Sequence, residues 1–248
     1  MAGRGLKPMA DWLTLLSFGP NGWGGALLQG AWVTLSVAVV TLPFGLALGL
    51  AVALGVRSSH QGLNRLALAY TTIFRGLPEL LTLYIIYFGF QLMVEHAIKA
   101  LGLESQFSIS PFVAGVVALG LVLAAFSAEV WLGAFHALAE GQREGAYALG
   151  LGRVQTFRHV IWPQLLRVAL PGLGNNWMVL LKETSLVSVI TLQDTMFIAS
   201  RANVVTKEPF LFFGAAACIY LTFSALSSLG LWMLERHLAQ GLTAVRRS

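Results

Sequence analysis

One cysteine and very little charge set this 248-residue chain apart from soluble proteins. The lone Cys218 excludes an internal disulfide and a cysteine-based metal site, and its apolar surroundings suit a small packing residue. Charged residues make up 11% of the chain, and hydrophobic ones 56%. Soluble domains carry about 25% charged residues. This imbalance excludes a soluble globular enzyme, a disordered chain and a nucleic-acid-binding module. It points to several membrane spans. The net charge of +5 is then a question of placement, because Lys and Arg collect on the cytoplasmic side of membrane proteins. Catalytic motifs are missing too. No Lys precedes Ser or Thr, so there is no Walker A loop, and neither Gly-x-Ser-x-Gly nor His-Glu-x-x-His occurs. His60, His96, His136, His159 and His237 are scattered without metal-ligand spacing. Energy for moving a solute uphill must come from another chain or from an ion gradient.

What is present is long charge-free runs. No charged residue lies between Asp11 and Arg57, between Glu104 and Glu129, or between Glu208 and Glu235. A span needs roughly 20 apolar residues. Three spans follow, at about Leu28–Val56, Pro111–Ala134 and Pro209–Leu234. Two more carry charge: about Leu66–Val94 with Arg75 and Glu79, and about Val168–Ile190 with Lys182 and Glu183. The expectation is therefore an all-α integral membrane protein of about five transmembrane helices. Gly45 and Gly49 in the first span have the Gly-x-x-x-Gly spacing of close helix packing.

Counting basic residues in the connections gives orientation. With the N-terminus outside, nine Lys and Arg lie inside and five outside, so the positive-inside rule favours N-out and C-in. The inner stretch Leu138–Arg167 is unusual. It runs for about thirty residues, and Tyr147, Leu149, Leu151 and Val154 give it a partial apolar face. Gly150 and Gly152 should end a first short helix, and a second should run from Arg153 to Ile161 before Pro163. Two short amphipathic helices suit docking to a partner or lying on the membrane; an ordinary solvated loop is the plainer reading.

Charges inside spans are costly and usually face a bundle interior, where they mark a solute or ion path. Glu79, Glu129, Lys182 and Glu183, with Thr184 and Ser185, are the candidates here. Pro78 weakens the helical ladder beside Glu79, as a polar site in a bilayer requires. Two plainer readings compete. Arg75 and Glu79, spaced i and i+4, can neutralise each other on one helix face, and Lys182 can snorkel to the headgroups.

These residues carry a resemblance. Glu144-Gly145-Ala146, then Gly150, then Val160-Ile161-Trp162-Pro163 keeps the spacing of the EAA signature of ABC importer permeases, in which Glu-Ala-Ala, Gly and Ile-x-Leu-Pro recur. The departures are Gly145 for Ala, Val160 for Ile and Trp162 for Leu. Gly141-Gln142-Arg143, Arg75-Gly-Leu-Pro-Glu79, Tyr87-Phe88-Gly89, Pro171-Gly-Leu-Gly-Asn175 and Lys182-Glu183-Thr184-Ser185-Leu186 are similar to the polar amino-acid and opine branch. Leu132 stands where that branch often has Arg. The resemblance covers about residues 24 to 238.

It implies a transmembrane domain over 25–238 with an EAA coupling loop at about 140–163. A periplasmic segment (1–24) would precede it and a basic cytoplasmic tail (239–248) would follow, in a bacterial inner membrane. It implies a second permease chain, identical or related, with two ATPase subunits below and a periplasmic solute-binding protein above. ATP and Mg would sit on the ATPase, with no cofactor on this chain. Glu144, Gly145, Ala146, Gly150 and Pro163 would belong to the loop that enters the ATPase. Basic amino acids or opines are favoured over glutamate or glutamine as cargo, because Glu79, Glu129 and Glu183 supply negative sites. An ion-coupled secondary transporter and a membrane scaffold are the alternatives from other classes.

Overall fold

The computed structural model describes residues 9–101 and 108–243, the side chains of 9–11 and 239–243 excepted. The described residues form helices and no strands. In chain order these are α1 (Met9–Leu15), α2 (Gly24–Val56), α3 (Gln61–Gly76), α4 (Glu79–Tyr84), α5 (Phe90–Ala100), α6 (Pro111–Ala137), α7 (Gly141–Ala148), α8 (Arg153–Thr156), α9 (Trp162–Glu183), α10 (Thr195–Thr206) and α11 (Pro209–Thr243). A π-helical turn, Ile85–Gly89, joins α4 to α5, and another, Phe157–Ile161, joins α8 to α9. A 3₁₀ segment, Thr184–Ile190, follows α9.

Among the described residues, four helices are long and apolar enough to cross a membrane: Gly24–Val56, Glu79–Ala100, Pro111–Ala137 and Pro209–Leu238. The three charge-free spans are among them. The two charged spans need correction. Leu66–Val94 is not one helix: Leu77 and Pro78 take extended backbone (ψ 139° and 136°), so α3 stops at Gly76 and the long apolar helix begins at Glu79. Proline disfavours the helical conformation in the residue before it, and at Leu77 the expected weakening becomes a full break. Val168–Ile190 starts earlier, at Trp162, and loses α-helical geometry after Glu183. With Gln164, Arg167, Asn175, Asn176, Lys182 and Glu183, α9 falls short of the other four in apolar character.

The core is built around α6, which packs against α2 along small residues. A Cβ on Gly45 would lie 2.4 Å from Leu123, and one on Gly49 would lie 2.8 Å from the Ala124 carbonyl. In return, Gly120 of α6 receives the Phe44 ring. Val37, Ala118, Leu119, Leu180 and Val187 bury fully between these helices. Trp131 donates its indole N–H to the Leu46 carbonyl at 3.4 Å. The Gly-x-x-x-Gly pair thus does what its spacing promised. Cys218 is exposed on α11 rather than packed.

Local signals set the ends. Pro111 opens α6 at the first turn, where its missing N–H costs nothing. Asp194 caps α10 by accepting from the Phe197 N–H at 2.9 Å. Two left-handed residues, Thr191 (φ 66°) and Lys207 (φ 61°), flank that helix. Residues 1–8 of the expected periplasmic segment, and Arg246 and Arg247 of the expected tail, lie outside the described residues. Helix α11 continues to Thr243.

Candidate functional site

The break at Leu77–Pro78 organises the site. It leaves Arg75 in the last turn of α3 and makes Glu79 the first residue of α4. Each charge suits its helix end: a cation near a C-terminus, an acid near an N-terminus. The i, i+4 pairing that an unbroken helix would give is lost. Arg75 instead donates Nη1–H to Glu129 Oε1 of α6 at 2.8 Å, and its guanidinium carbon lies 5.9 Å from the Phe126 ring centroid. Glu79 is released to another partner set.

That set is a cleft of about 210 Å³ lined by Glu79, Leu123, Phe126, Asn175, Asn176 and Glu183, with Val179. Two acids from separate helices, Glu79 of α4 and Glu183 of α9, line it together. Like charges sharing a cleft favour a cation between them. The adjacent carboxamides supply N–H donors that a carboxylate can accept from. Asn176 Nδ2 also donates to Ser127 Oγ at 3.3 Å, which fixes α9 against α6. The lining offers both signs of partner that an amino acid with an extra cationic group needs.

The six residues expected along a path divide four ways. Glu79 and Glu183 share the cleft. Glu129 sits beside it, engaged by Arg75. Lys182 and Ser185 line a different, mostly apolar cleft of about 330 Å³ with Met196, Phe213 and Tyr220. Thr184 is fully buried and donates its hydroxyl to the Leu181 carbonyl at 2.7 Å. Sequence reasoning missed Asn176 and Phe126. Two neighbouring carboxamides in the middle of an otherwise apolar stretch were the available signal. It also missed Asp194, which is fully buried beside Thr34 and Thr195, whose hydroxyls lie 2.8 Å apart.

The connection between α6 and α9 has the expected two-part form. Helix α7 ends in a Schellman turn: Leu151 N–H reaches the Ala146 carbonyl at 3.1 Å, and Gly150 N–H reaches the Tyr147 carbonyl at 2.9 Å. Gly150 holds φ +80°, which only glycine adopts without strain. Tyr147, Leu149 and Val154 are exposed, Leu149 at 83%. Ala146 turns inward and is buried. Glu144 and Arg143 line a cavity of about 310 Å³ against Arg57, His136 and Tyr147. Pro163 does not end a helix. It lies in the first turn of α9, directly after the π-helical turn. A π turn loosens the ladder where proline would crowd it. Gln164 Nε2 completes the join, donating to the Val160 carbonyl at 2.8 Å and to Gln142 Oε1 of α7 at 3.2 Å. Trp131 of α6 stacks on Trp162 with centroids 6.0 Å apart. The Gln142–Gln164 bond ties α7 to α9, the helix that carries Glu183.

One consequence is measurable at Gly150. A Cβ there would meet nothing within 4 Å, so substitution strains the backbone alone. The strain amounts to about 1–2 kcal/mol for a left-handed L-residue. On the ATPase-docking role that the resemblance implies for this loop, Gly150→Leu is expected to leave the membrane bundle folded while lowering co-purification of the ATPase and cargo-stimulated ATP hydrolysis. Gly145→Ala, also without a contact within 4 Å, should preserve both. Unchanged ATPase association in Gly150→Leu would overturn the expectation.

Comparisons with known proteins identify the family. Residues 45–240 match the family described as binding-protein-dependent transport system inner membrane component. The chain is 38% identical over 221 residues to the histidine/lysine/arginine/ornithine transport system permease protein HisQ of Escherichia coli strain K12, covering 89% of this chain and 96% of that one. It is 37% identical over 231 residues to the octopine transport system permease protein OccQ of Rhizobium meliloti, covering 93% and 98%. Among solved structures, an amino acid ABC transporter crystallised with histidines superposes with a TM-score of 0.73 at 31% identity, covering 87% of this chain and 95% of that one. The helical bundle and these matches agree, and the chain belongs to the family of inner-membrane components of binding-protein-dependent transport systems: it is a permease subunit of an ABC importer.

Proposed function

We propose that this permease carries cationic amino acids or opines inward, with the Glu79–Glu183 cleft as its cargo site. The observation that supports this most is the convergence of two acids and two carboxamides, from α4 and α9, on one cleft beside α6. Similar chains serve histidine, lysine, arginine and ornithine, or octopine, by their names. The acids suit the guanidinium or ammonium of such cargo, and the carboxamides suit its carboxylate. Membership in an ABC importer family assigns ATP hydrolysis to a separate subunit, which displaces the ion-coupled alternative.

In this reading the chain pairs with a second permease, and two ATPase subunits binding ATP and Mg sit below. A solute-binding protein delivers cargo from the periplasm. The N-terminus faces the periplasm and α7 faces the cytoplasm, in keeping with nine inner against five outer basic residues. The exposed apolar residues Tyr147, Leu149 and Val154 are the contact surface for the ATPase. The loop then moves as a lever with α9, a rigid-body coupling of nucleotide state to the cleft.

The test is uptake by the complete importer in proteoliposomes with arginine, an opine, glutamine and glutamate supplied in turn. Arginine or the opine should be taken up in an ATP-dependent way and glutamate should not. Uptake of glutamate alone would refute the cargo assignment.

A further inference from the structure

We propose that the Arg75–Glu129 ion pair is a cation-exchange latch closing the inner end of the Glu79–Glu183 cleft. In this latch the cargo's cationic group takes the place of Arg75 on Glu129 as it passes. The inference rests on the cargo reading above and adds the exit step to it.

Position comes first. Leu123 and Phe126 of α6 line the cleft, and Glu129 follows one turn further towards the inner end of that helix. Arg75 approaches from the other side, at the end of α3, just before the break. Phe126 belongs to both neighbourhoods: it lines the cleft and lies 5.9 Å from the Arg75 guanidinium. The ion pair is therefore the next layer below the cleft.

Exposure comes second. The two side chains are each 44% exposed in the single chain. Glu129 lies within the apolar helix α6, and charges in such helices are rare on a lipid-facing side, so in the proposed latch the exposed half of the pair is assigned to water or to the second permease. A half-exposed pair can open without stranding a buried charge, whereas a fully buried one cannot.

Chemistry comes third. Arg75 presents a guanidinium to a carboxylate through one 2.8 Å hydrogen bond, rather than through the two parallel bonds that the geometry permits. An incoming guanidinium or ammonium is chemically equivalent to the group it displaces. The exchange conserves charge: the cargo cation pairs with Glu129 while Arg75 turns to its stacking partner Phe126. A neutral or acidic solute has nothing to offer Glu129, so the pair stays shut. The latch adds a second selective step below the cleft.

The experiment uses the complete importer in proteoliposomes loaded with labelled arginine. Efflux without ATP and uptake with ATP are measured for wild type, Glu129→Gln, and the exchanged pair Arg75→Glu with Glu129→Arg. Removing the pair in Glu129→Gln should raise ATP-independent efflux by about tenfold or more, as loss of one charge-assisted hydrogen bond predicts. The exchanged pair should restore the seal, but its carboxylate now sits on α3, so arginine uptake should stay at least about tenfold low. Full recovery of both seal and uptake in the exchanged pair would make the ion pair merely structural and overturn the proposal. Unchanged efflux in Glu129→Gln would overturn it as well. Failure of the underlying cargo reading appears elsewhere, as Glu79→Gln uptake with unaltered preference among cargoes, while the seal in that variant remains intact.

Discussion

Replacing both cleft acids, Glu79→Gln together with Glu183→Gln, should lower uptake of arginine or an opine by about a hundredfold or more, since each lost charge-assisted hydrogen bond is worth about 1.5–3 kcal/mol. The two effects will not simply add, because both groups address the same cation. Glutamine keeps the shape and removes only the charge, so assembly of the complete importer serves as the internal control. Glu183 makes the case sharper. It closes α9 at the C-terminal end, where a negative charge is unfavourable to the helix. Its presence there works against local stability, which favours a role towards cargo. The measurement is uptake of arginine, an opine, glutamine and glutamate by the same reconstituted complex. Selective loss for the cationic cargo is the expected result. Loss of importer assembly together with uptake would make the acids structural, and no loss would move selectivity to the second permease or to the binding protein.

Gly49→Leu should prevent folding of the bundle altogether. A Cβ at this position already lies 2.8 Å from the Ala124 carbonyl oxygen and 2.8 Å from the Ser127 Cβ. Neither is the movable end of a side chain, so α2 and α6 must separate. Overpacking typically costs about 1–3 kcal/mol, and this case adds lost contacts along the whole seam. Gly49→Ala should give folded protein of reduced thermal stability. Gly25→Ala, where a Cβ meets nothing within 4 Å, should match wild type. Recovery of monodisperse protein after detergent extraction separates the three. Equal recovery for Gly49→Leu and wild type would refute the packing account.

Much of this architecture is legible along the chain because its causes are local. Charge-free runs mark α2, α6 and α11, since hydropathy acts residue by residue. Gly150 and its spacing from Glu144 mark the end of α7, since a left-handed turn needs glycine where it occurs. The site was less legible. Its decisive contacts join residues far apart in sequence, such as Arg75 and Glu129, separated by 54 positions. Sequence spacing offered Arg75 a nearer partner in Glu79, and only the backbone break at Leu77–Pro78 removes it. The meeting of Glu79 with Glu183 likewise depends on how α4 and α9 lean on α6. Neither helix carries a periodic signal that states this. The split of Lys182 from Glu183 follows from adjacency on a helix, where neighbours point about 100° apart.

The seam between α2 and α6 also sets a clock for biogenesis. Leu46 and Trp131, which meet across it, are 85 residues apart. Ribosomes add about 5–20 residues per second, so α2 waits roughly 4 to 17 seconds in the bilayer before α6 has been made. Through that interval its glycine stripe and the Leu46 carbonyl meet lipid or the insertion machinery instead of their partner. The nascent chain is most vulnerable to proteases and to wrong helix pairing in these seconds. Slowing translation between residues 56 and 111 should therefore reduce the yield of membrane-inserted permease without changing a single contact in the finished molecule.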